Sequence, residues 1–333
     1  MNILITSVGR RSYMVEYFKD ALEKNDKVFA VNNEKTYALT LADKYELCPP
    51  IYDEKYIDFI LNFCLKNNVD AIISLFDIDL PVLAKNKNLF DEHGIILLIS
   101  EFSFVEICND KWLTYQFLID NGFKTPKTYL SLNNAKDAIG AEKLNYPLIV
   151  KPRWGMGSLG VNIADDEEEL DFYYKKTAKT IQNSYLKYES QVDLNNAVVI
   201  QEKLGGEEYG LDVHNSLKGE YIATVPKKKI AMRAGETDIA KVLLDDQLIA
   251  FGKMLSSRTL HIGNLDVDIF KVSDDIYILE MNARFGGQYP FSHLAGVNFP
   301  KVIVDQLKNT DIDIQDITFK EVTGSKDFTM RKL

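Results

Sequence analysis

A lysine followed by a glycine-rich loop is the first feature of the sequence that could carry chemistry. In the segment VKPRWGMGSLGV, residues 150–161, an apolar strand pattern delivers Lys151 into the loop. Glycines at this density let backbone N–H groups converge on an anion, and a lysine supplies a point charge for phosphate oxygens. The GK[ST] sequence of a Walker A loop is absent. The pattern indicates a phosphate-binding loop, and a glycine-rich hairpin without a ligand is the alternative. The small residues of the loop are Gly155, Gly157, Ser158 and Gly160.

Two consecutive strand patterns carry acidic residues that should face one another. The strands GNLDVDIF and IYILEMNARFGG are separated by a turn at Ser273-Asp274-Asp275. Antiparallel register then places Asp268 opposite Glu280, and Asp266 opposite Asn282. Like charges directly opposite each other destabilise a sheet, so this row needs a compensating cation. Mg²⁺ held by carboxylates and phosphate oxygens is the natural one, and a solvated outer face is the alternative.

The other face of this predicted hairpin is apolar. Arg284 lies two residues beyond Asn282 and would extend the polar face toward a phosphate. Because side chains alternate along a strand, the intervening residues are expected to point to the opposite side. These are Leu265, Val267, Ile269, Leu279 and Met281.

Two further segments hold polar residues at strand ends. In VVIQEKLGGEEYGLDV, residues 198–213, a strand leads into Glu202, Lys203 and Leu204, and Glu208 follows a glycine pair. By itself this segment predicts only a junction between a strand and a turn.

The segment KKKIAMRAGETD, residues 227–238, is basic and contains Lys229 and Arg233, followed by Gly235 and Glu236. Taken alone, it fits a solvated basic strand as well as it fits an anion-binding segment.

Charge and composition exclude several classes of protein. The 333 residues carry a net charge of −10, and a nucleic-acid partner would need a basic surface. No apolar run approaches 18 residues and the N-terminus lacks a signal-peptide core, so we expect neither a membrane partner nor secretion, and a cytoplasmic location. The four histidines are isolated, which gives no zinc site, and Cys64 is expected to be a buried thiol.

The elements that must position these residues fall into two patterns. In the first hundred residues strands alternate with helices, which predicts a parallel, doubly wound sheet. The four predicted strands are centred on Ile3–Ile5, Val28–Val31, Ala71–Leu75 and Ile95–Ile99. The first strand-to-helix turn lacks GxGxxG, so a dinucleotide site is not supported. Beyond Pro126 strands dominate, which predicts an α+β region. The last ten residues are expected to be poorly ordered.

The four segments, in this order, resemble the ATP-grasp superfamily over nearly the whole chain. Among its members, the single-unit proteins similar to the carbamoyl-phosphate synthetase large subunit come closest. The resemblance implies an α/β plus α+β fold, in which a Rossmann-like pre-ATP-grasp domain precedes a two-part ATP-grasp fold. The implied divisions are a pre-ATP-grasp domain at 1–105, a small subdomain with the glycine-rich lid at 106–202, a large subdomain with the metal site at 203–320, and a tail at 321–333.

The resemblance also assigns expected roles to residues. Asn109-Asp110-Lys111 is similar to the family's phosphate-contacting DK segment. The expected phosphate contacts are Lys111, Lys151 and the lid residues Gly155, Gly157, Ser158 and Gly160. The adenine hinge would be Glu202, Lys203 and Leu204, and Glu208 would hold the ribose hydroxyls. The metal positions would be Asp268, Glu280 and Asn282, with Glu280 bridging two ions. The expected catalytic contacts to the phosphate or acyl phosphate are Arg233, Arg284 and Lys229.

The implied function is that of an ADP-forming ligase, which activates a carboxylate as an acyl phosphate and joins it to an amine. Its cofactors would be ATP and Mg²⁺, with two ions expected and Mn²⁺ as an alternative metal. Its partners would be a small carboxylic acid, an amine and a second copy of the chain. A partial reaction on carbamate or bicarbonate, and a nucleotide-binding module without turnover, are the alternatives. The synthetase itself carries two such units and a Gln where this chain has Asp268, so complete carbamoyl-phosphate synthesis is not expected. Arg10, Arg11 and Phe76-Asp77 are weaker candidates for substrate contacts.

Overall fold

The first part of the chain forms the parallel sheet that its alternating pattern predicts. The computed structural model describes residues 1–233, 235–327 and 329–333. Five strands pair in the order β3-β2-β1-β4-β5, all parallel. They are β1 (Asn2–Thr6), β2 (Lys27–Asn32), β3 (Lys44–Leu47), β4 (Ala71–Ser74) and β5 (Ile96–Leu97). The helices are α1 (Ser12–Ala21), α2 (Tyr37–Leu41), α3 (Tyr56–Asn67), α4 (Asp79–Lys85), α5 (Lys87–Asp91) and α6 (Phe102–Asn109).

Strand β3 is the one strand of the parallel sheet that the sequence pattern did not predict. Its residues, KYEL, alternate between half-buried and exposed positions at the edge of the sheet. An edge strand of this kind lacks the continuous apolar run of the central strands, which are buried on both faces. The central run Ile3–Ile5 is completely buried and was therefore easy to predict.

A small antiparallel sheet follows, with strand order β6-β9-β7-β8. Its strands are β6 (Thr128–Tyr129), β7 (Leu148–Pro152), β8 (Asn162–Ala164) and β9 (Val198–Glu202). Its helices are α7 (Lys111–Asp120), α8 (Leu132–Gly140), α9 (Glu167–Gln182) and α10 (Lys187–Ser190). The glycine-rich segment is the connection between the paired strands β7 and β8, so it projects from one end of this sheet.

The largest sheet has six antiparallel strands in the order β14-β13-β10-β11-β12-β15. The strands are β10 (Glu207–Asn215), β11 (Tyr221–Arg233), β12 (Glu236–Val242), β13 (Gly263–Val272), β14 (Asp275–Asn282) and β15 (Val322–Ser325). Helices α11 (Asp246–Thr259), α12 (Tyr289–Leu294) and α13 (Phe299–Leu307) complete it. The architecture confirms the predicted fold class, an α/β part followed by antiparallel sheets.

Strand β15 corrects one expectation about the end of the chain. Its residues pair antiparallel with β12, from Val322 opposite Val242 to Ser325 opposite Ile239. The segment predicted as a tail therefore contributes the outer strand of the large sheet. The backbone of β12 would otherwise present an open edge, and pairing satisfies its N–H and C=O groups.

The hairpin of β13 and β14 has the predicted register at its acidic end. Asp268 lies opposite Glu280, and Asp266 lies opposite Asn282. The turn itself is one residue shorter than predicted, because Val272 already pairs with Asp275. By itself this would shift the pairing of the two strands by one residue. A β-bulge beside Asp268 inserts one extra residue and restores the register.

The bulge reverses the predicted orientation of Leu279. Ile269 pairs with Ile278, and Ile278 is completely buried in the core. Leu279 is half-buried and lines the cavity described below. The prediction that Leu279 shares the apolar face is therefore wrong, because one inserted residue exchanges the two faces of a strand. The other four residues assigned to that face, Leu265, Val267, Ile269 and Met281, are buried as expected.

Other features of the described chain bear on its environment. Cys48, Cys64 and Cys108 are free and buried, as expected for Cys64. Among the helices of the described residues, none combines the length and the apolar character that crossing a bilayer requires.

Candidate active site

A cavity of about 480 Å³ lies between the small sheet and the large sheet. Two walls face each other across it. One comes from β7, the glycine-rich loop and the end of β9, and the other from β10, β11 and the hairpin of β13 and β14. The predicted site residues that line it are Lys111, Lys151, Gly155, Gly157, Ser158, Glu202, Lys203, Leu204, Glu208, Lys229, Asp268 and Glu280. Segments far apart in the sequence therefore meet around one space.

Lys151 supplies a buried positive charge to this cavity. Its Nζ donates a 2.7 Å hydrogen bond to Oε1 of Gln201, whose Nε2 in turn donates to Oγ1 of Thr128 at 2.9 Å. The pKa of Lys151 is lowered to about 8, mainly by burial and also by the nearby charge of Lys111, while Glu280 acts in the opposite direction. A buried ammonium with a single neutral acceptor is under-compensated, so it favours an incoming anion.

Lys111 and the glycine-rich loop approach each other at the start of α7. Lys111 Nζ donates to the carbonyl oxygen of Gly155 at 2.6 Å. Asp110 caps α7 by accepting from the backbone N–H groups of Trp112 and Leu113. The start of α7 is thus held against the loop, with its lysine at the cavity wall.

The two residues that precede the expected lid, Arg153 and Trp154, are firmly anchored. Arg153 forms a bidentate ion pair with Asp110, with both nitrogen-to-oxygen distances at 2.7 Å, and a further contact of 3.1 Å with Asp193. Its guanidinium lies 4.3 Å from the ring centre of Trp154, which is itself buried. Because these side chains fix the backbone, the part without side-chain anchors begins at Gly155.

Two glycines are required where the loop crosses its neighbours. Gly155 has a φ of 135°, and a Cβ there would lie 2.8 Å from Cδ2 of Leu186. Gly235 has a φ of 80°, and its Cβ would lie 2.6 Å from Oγ of Ser158. The loop therefore lies against the connection between β11 and β12 and covers one side of the cavity. Gly160 belongs to the same loop but does not line the cavity.

Part of the cavity lining is apolar. Side chains from both walls contribute to it: Ile149, Met156, Val161, Leu204, Met232, Phe270 and Leu279. Glu202 ends β9, where its backbone N–H donates to the carbonyl oxygen of Lys127 at 2.9 Å. A cavity that combines apolar and charged side chains can take a flat heterocycle that carries phosphates.

Asp268, Glu280 and Asn282 of the β13–β14 hairpin differ in how many partners their side chains have. Asp268 Oδ1 accepts from Lys229 Nζ at 2.7 Å and from Gln288 Nε2 at 3.2 Å. In the described part of the chain, the side chains of Glu280 and Asn282 make no hydrogen bond or ion pair. Burial raises the pKa of Asp268 to about 7, with Lys229 opposing and Asp266 and Glu280 adding to the rise. This face therefore carries more negative charge than its own cations neutralise.

This donor set fits a metal ion that arrives together with phosphate. Among residues 1–233, 235–327 and 329–333, no three His, Cys, Asp or Glu side chains are grouped so that they could hold a metal ion by themselves. Mg²⁺ is commonly held by one or two carboxylates plus the phosphate oxygens of a substrate. Asp268 and Glu280 line the cavity and supply such a partial set. Asn282 lies two residues beyond Glu280 on β14, opposite Asp266, and is not part of the cavity lining.

Two predicted catalytic residues lie outside the cavity lining. Arg284 Nη1 contacts Asp266 Oδ2 at 2.8 Å, and its Nη2 contacts Asp77 Oδ2 at 2.9 Å. These carboxylates turn its guanidinium toward the first sheet. Arg233 Nη2 contacts Asp238 Oδ2 at 2.6 Å, and its side chain is largely exposed. The prediction that Arg284 simply continues the polar face missed this competition, because Asp77 comes from a distant part of the chain.

The weaker candidates gather near Arg284. Arg11 Nη1 donates to the carbonyl oxygens of Leu75 and Phe285, at 2.6 Å and 2.8 Å. Asp77 is buried, and its Oδ1 has no hydrogen-bond partner. Arg10 is exposed and takes no part.

Gln288 is a site residue that the sequence did not reveal. Its Nε2 donates to Asp266 Oδ1 at 2.7 Å and to Asp268 Oδ1, so one amide connects both carboxylates. Gly210 lies opposite Asp268 on β10, and a Cβ at Gly210 would lie 1.8 Å from Gln288 Oε1. The missing side chain at Gly210 thus leaves the space that the amide fills.

Glu189 on α10 has a shifted pKa but is not part of the cavity lining. Burial raises its pKa to about 7, while Lys111 lowers and Asp77 raises that pKa. The neighbouring Tyr188 stacks on Tyr52 of the first part of the chain, with ring centres 4.7 Å apart. A carboxylate that titrates near neutrality, at a junction between sheets, has no signature in the sequence.

Comparisons with known proteins agree with this geometry. Residues 108–288 match the family described as ATP-grasp domain, and residues 3–98 match the family described as PylC-like, N-terminal domain. The chain is 25% identical over 265 residues to the carbamoyl phosphate synthase large chain of Thermoplasma volcanium, covering 74% of this chain. It is 21% identical to that of Clostridium beijerinckii over 269 residues, covering 78% of this chain. In both cases it spans only 24% of the relative's length.

Solved structures share the fold at low sequence identity. The biotin carboxylase domain of the Hydrogenobacter thermophilus 2-oxoglutarate carboxylase, in complex with MgADP and bicarbonate, has a TM-score of 0.73 and 17% identity. That match covers 96% of this chain and 72% of the domain. The L-amino acid ligase of Bacillus licheniformis has a TM-score of 0.72 and 21% identity, with 94% of this chain and 78% of that one covered.

Proposed function

The chain belongs to the ATP-grasp family, and we propose that it is an ATP-dependent ligase that activates a carboxylic acid as an acyl phosphate and joins it to an amine, releasing ADP. One observation carries the proposal: Lys111, Lys151 and the glycine-rich loop face a row of carboxylates across one cavity. Cations on one wall and carboxylates on the other suit a phosphate chain with a divalent ion beside it.

The adenine and the phosphates of ATP would contact different parts of the cavity lining. The adenine occupies the apolar part of the cavity beside the hinge of Glu202, Lys203 and Leu204, and Glu208 accepts hydrogen bonds from the ribose. Lys111 and Lys151 hold the phosphates, and the loop from Gly155 to Gly160 excludes water above them. Asp268, Glu280 and Asn282 would hold Mg²⁺, or Mn²⁺ in its place, which supplies neutralisation of the phosphate charge when bound.

Catalysis then rests on position and charge. A carboxylate oxygen of the acid attacks the γ-phosphorus, the bond to ADP breaks, and an acyl phosphate forms. The amine next attacks the acyl carbon, and inorganic phosphate leaves. Arg284, Arg233 and Lys229 are the cations proposed to neutralise charge during transfer. For Arg284 this requires exchanging one of its carboxylate partners for the substrate.

Among the described residues that line the cavity there is no Cys or His, and this favours direct phosphorylation over a covalent enzyme intermediate. The test is to offer carboxylic acids paired with amines and to measure ADP and phosphate release. With the correct acid, hydroxylamine should replace the amine and give a hydroxamate, and oxygen-18 from the carboxylate should appear in the phosphate. Release of AMP and pyrophosphate would overturn the proposal.

A second candidate reaction is phosphorylation of bicarbonate or carbamate. The carbamoyl phosphate synthase relatives and the bicarbonate bound in a structural neighbour support it. ADP formation that depends on bicarbonate alone would select this reaction. Nucleotide binding without turnover across both screens would instead favour a sensor.

The proposal also covers the division of the chain into units, its oligomeric state and its location. We propose three units, divided near residues 105 and 202, with β15 belonging to the last. A homodimer is supported by the description of the H. thermophilus domain as a dimer. The proposed dependence on ATP suits a location in the cytoplasm.

A further inference from the structure

The carboxylate of Asp268 has one oxygen that accepts hydrogen bonds and one that is free. Its two donors in the described chain, the ammonium of Lys229 at 2.7 Å and the amide of Gln288 at 3.2 Å, both contact Oδ1. Oδ2 has no hydrogen-bond partner among the described residues, and it is not one of the unpartnered atoms that are sealed from the surface. Because Asp268 lines the cavity, Oδ2 is the oxygen left for a divalent ion beside the phosphates.

Gln288 is placed to determine which oxygen of Asp268 stays free. Its Nε2 carries two hydrogens and donates to Asp266 Oδ1 at 2.7 Å and to Asp268 Oδ1 at 3.2 Å. The torsion that turns a carboxylate about its Cβ–Cγ bond is broad, so one donor alone leaves the group free to rotate. Lys229 comes from β11 and Gln288 from the residue before α12, and together they fix Oδ1 in place.

The other half of the same amide is left without a partner. Gln288 is 4% exposed, and its Oε1 is buried with no hydrogen bond among the described residues. An unsatisfied buried acceptor costs free energy of folding. An amide turned the other way would place Oε1 against two carboxylate oxygens, which only accept hydrogen bonds. A purely structural role does not explain such a side chain, whereas the need for its two donors does.

The surrounding backbone leaves this amide no room to withdraw. A Cβ at Gly286 would lie 2.2 Å from Asp266 Cγ, so the chain before Gln288 passes directly over the acidic strand β13. A Cβ at Gly210 on β10 would lie 1.8 Å from Gln288 Oε1. The carbonyl oxygen of Gln288 accepts from the backbone N–H of Phe291 at 3.1 Å, at the start of α12. The amide is therefore held in one position beside both carboxylates.

We propose that Gln288 is a positioning residue, which binds Oδ1 of Asp268 so that Oδ2 is presented to a divalent ion that arrives with ATP. The inference rests on the proposed ATP site and deepens it. The same amide joins Asp268 to Asp266, and Asp266 contacts Arg284 at 2.8 Å. One network thus holds a carboxylate proposed to bind the metal and an arginine proposed to contact the transferred phosphate. Gln288 acts through these side chains and does not touch the ion.

The test compares the affinity for Mn²⁺ in the presence of a non-hydrolysable ATP analogue with the affinity for the analogue in the absence of metal. Free Mn²⁺ is followed by electron paramagnetic resonance during a titration of the full-length protein, and calorimetry measures the metal-free analogue. Gln288→Met keeps the length of the side chain and removes both donors. It should raise the dissociation constant of Mn²⁺ about tenfold, as expected when a metal ligand loses its supporting hydrogen bond. Binding of the metal-free analogue should be unchanged, because Gln288 does not line the cavity.

Gln306→Met is the matched control. Gln306 lies on α13, where its Oε1 accepts from the backbone N–H of Leu217 at 3.2 Å, and it is not part of the cavity lining. Both affinities should equal those of the wild type in this variant. Unchanged Mn²⁺ affinity in folded Gln288→Met would overturn the inference. Equal weakening of Mn²⁺ binding and metal-free binding would overturn it too, because that result indicates general damage to the site.

A second approach reaches the same amide from β10 and keeps the test decisive if Gln288→Met fails to fold. Gly210→Ala changes no polar group, and it should weaken Mn²⁺ binding because its Cβ displaces the amide. Adding Gly210→Ala to Gln288→Ala should cause no further loss, because the amide is then already absent. Losses that combine independently in the double variant would overturn the inference. Absence of analogue binding by the wild type, with or without metal, would instead remove the proposed function itself.

Discussion

Asp79, beside the parallel sheet, and Glu280, in the large antiparallel sheet, are carboxylates whose hydrogen bonding differs completely. Asp79, at the start of α4, is completely buried beside the parallel sheet. Its Oδ2 accepts from the hydroxyls of Thr6, Ser7 and Ser74 at 2.6, 2.9 and 2.8 Å, and its Oδ1 accepts from Tyr56 at 2.8 Å. Every strong acceptor position is in use, so Asp79 joins β1, β4 and α3 and has nothing to offer a ligand.

Glu280 is the opposite case. It stands in the antiparallel hairpin opposite another carboxylate and makes no side-chain hydrogen bond within the described residues. An unpaired carboxylate in such a place is unfavourable unless something arrives to neutralise it. The comparison teaches that a structural carboxylate differs from a ligand-binding one mainly in whether its oxygens already accept hydrogen bonds. The depth of burial matters less.

The largest expected effect comes from removing the free charge. Glu280→Gln should lower metal-dependent turnover by about 10²–10³-fold, the range found for losing one preorganised electrostatic contact. Because no partner is lost, the free energy of unfolding should change by less than about 0.5 kcal/mol. Steady-state ADP release and urea denaturation measure the two quantities. A large loss of stability with intact turnover would reverse the comparison.

The matched change on the other side is Asp79→Asn. The amide cannot accept from all four hydroxyls, and it introduces N–H groups where donors already point, so we expect about 2–3 kcal/mol of destabilisation. Binding of the ATP analogue at low temperature should be unchanged. Urea denaturation and calorimetry provide the measurements, and weakened nucleotide binding by a stably folded variant would contradict the assignment.

Lys151 is the positively charged counterpart of Glu280, since its ammonium has only one neutral hydrogen-bond acceptor among the described residues. Its pKa is lowered to about 8 in the protein without nucleotide. The ammonium that binds phosphate is therefore present below pH 8 and lost as the pH rises through 8. The dissociation constant of the ATP analogue should then increase with pH, approaching about tenfold per unit. In Lys151→Arg, whose guanidinium does not titrate in this range, this increase should disappear.

The smallest effect concerns the bulge. Leu279→Ala should weaken binding of the ATP analogue a few-fold and cost about 1 kcal/mol or less of stability, because Leu279 lines the cavity. Its neighbour Ile278 is in the core, and Ile278→Ala should cost about 2–4 kcal/mol with little effect on binding. Exchanged results for the two variants would show that the hairpin keeps the unbulged register.

Local sequence patterns predicted much of the fold and part of the candidate site. Alternating strands and helices predicted the parallel sheet, and the facing acidic strands predicted the pairing of Asp268 with Glu280. Local patterns failed where a single residue changed the geometry. The orientation of Leu279 was reversed by a bulge that leaves no mark in the sequence, and β3 lacked an apolar run because it lies at an edge.

What the sequence alone determined was therefore which chemical groups are present and which of them share a strand face, because alternation along a strand is a property of neighbouring residues. Only the tertiary structure decided which groups are free to act. Asp268 is engaged because Lys229 comes from another strand and Gln288 from a later loop, and Arg284 is turned away because Asp77 reaches it from the first sheet. Charges act through space over a few ångströms, so the partner of each ion is set by how distant segments are brought together.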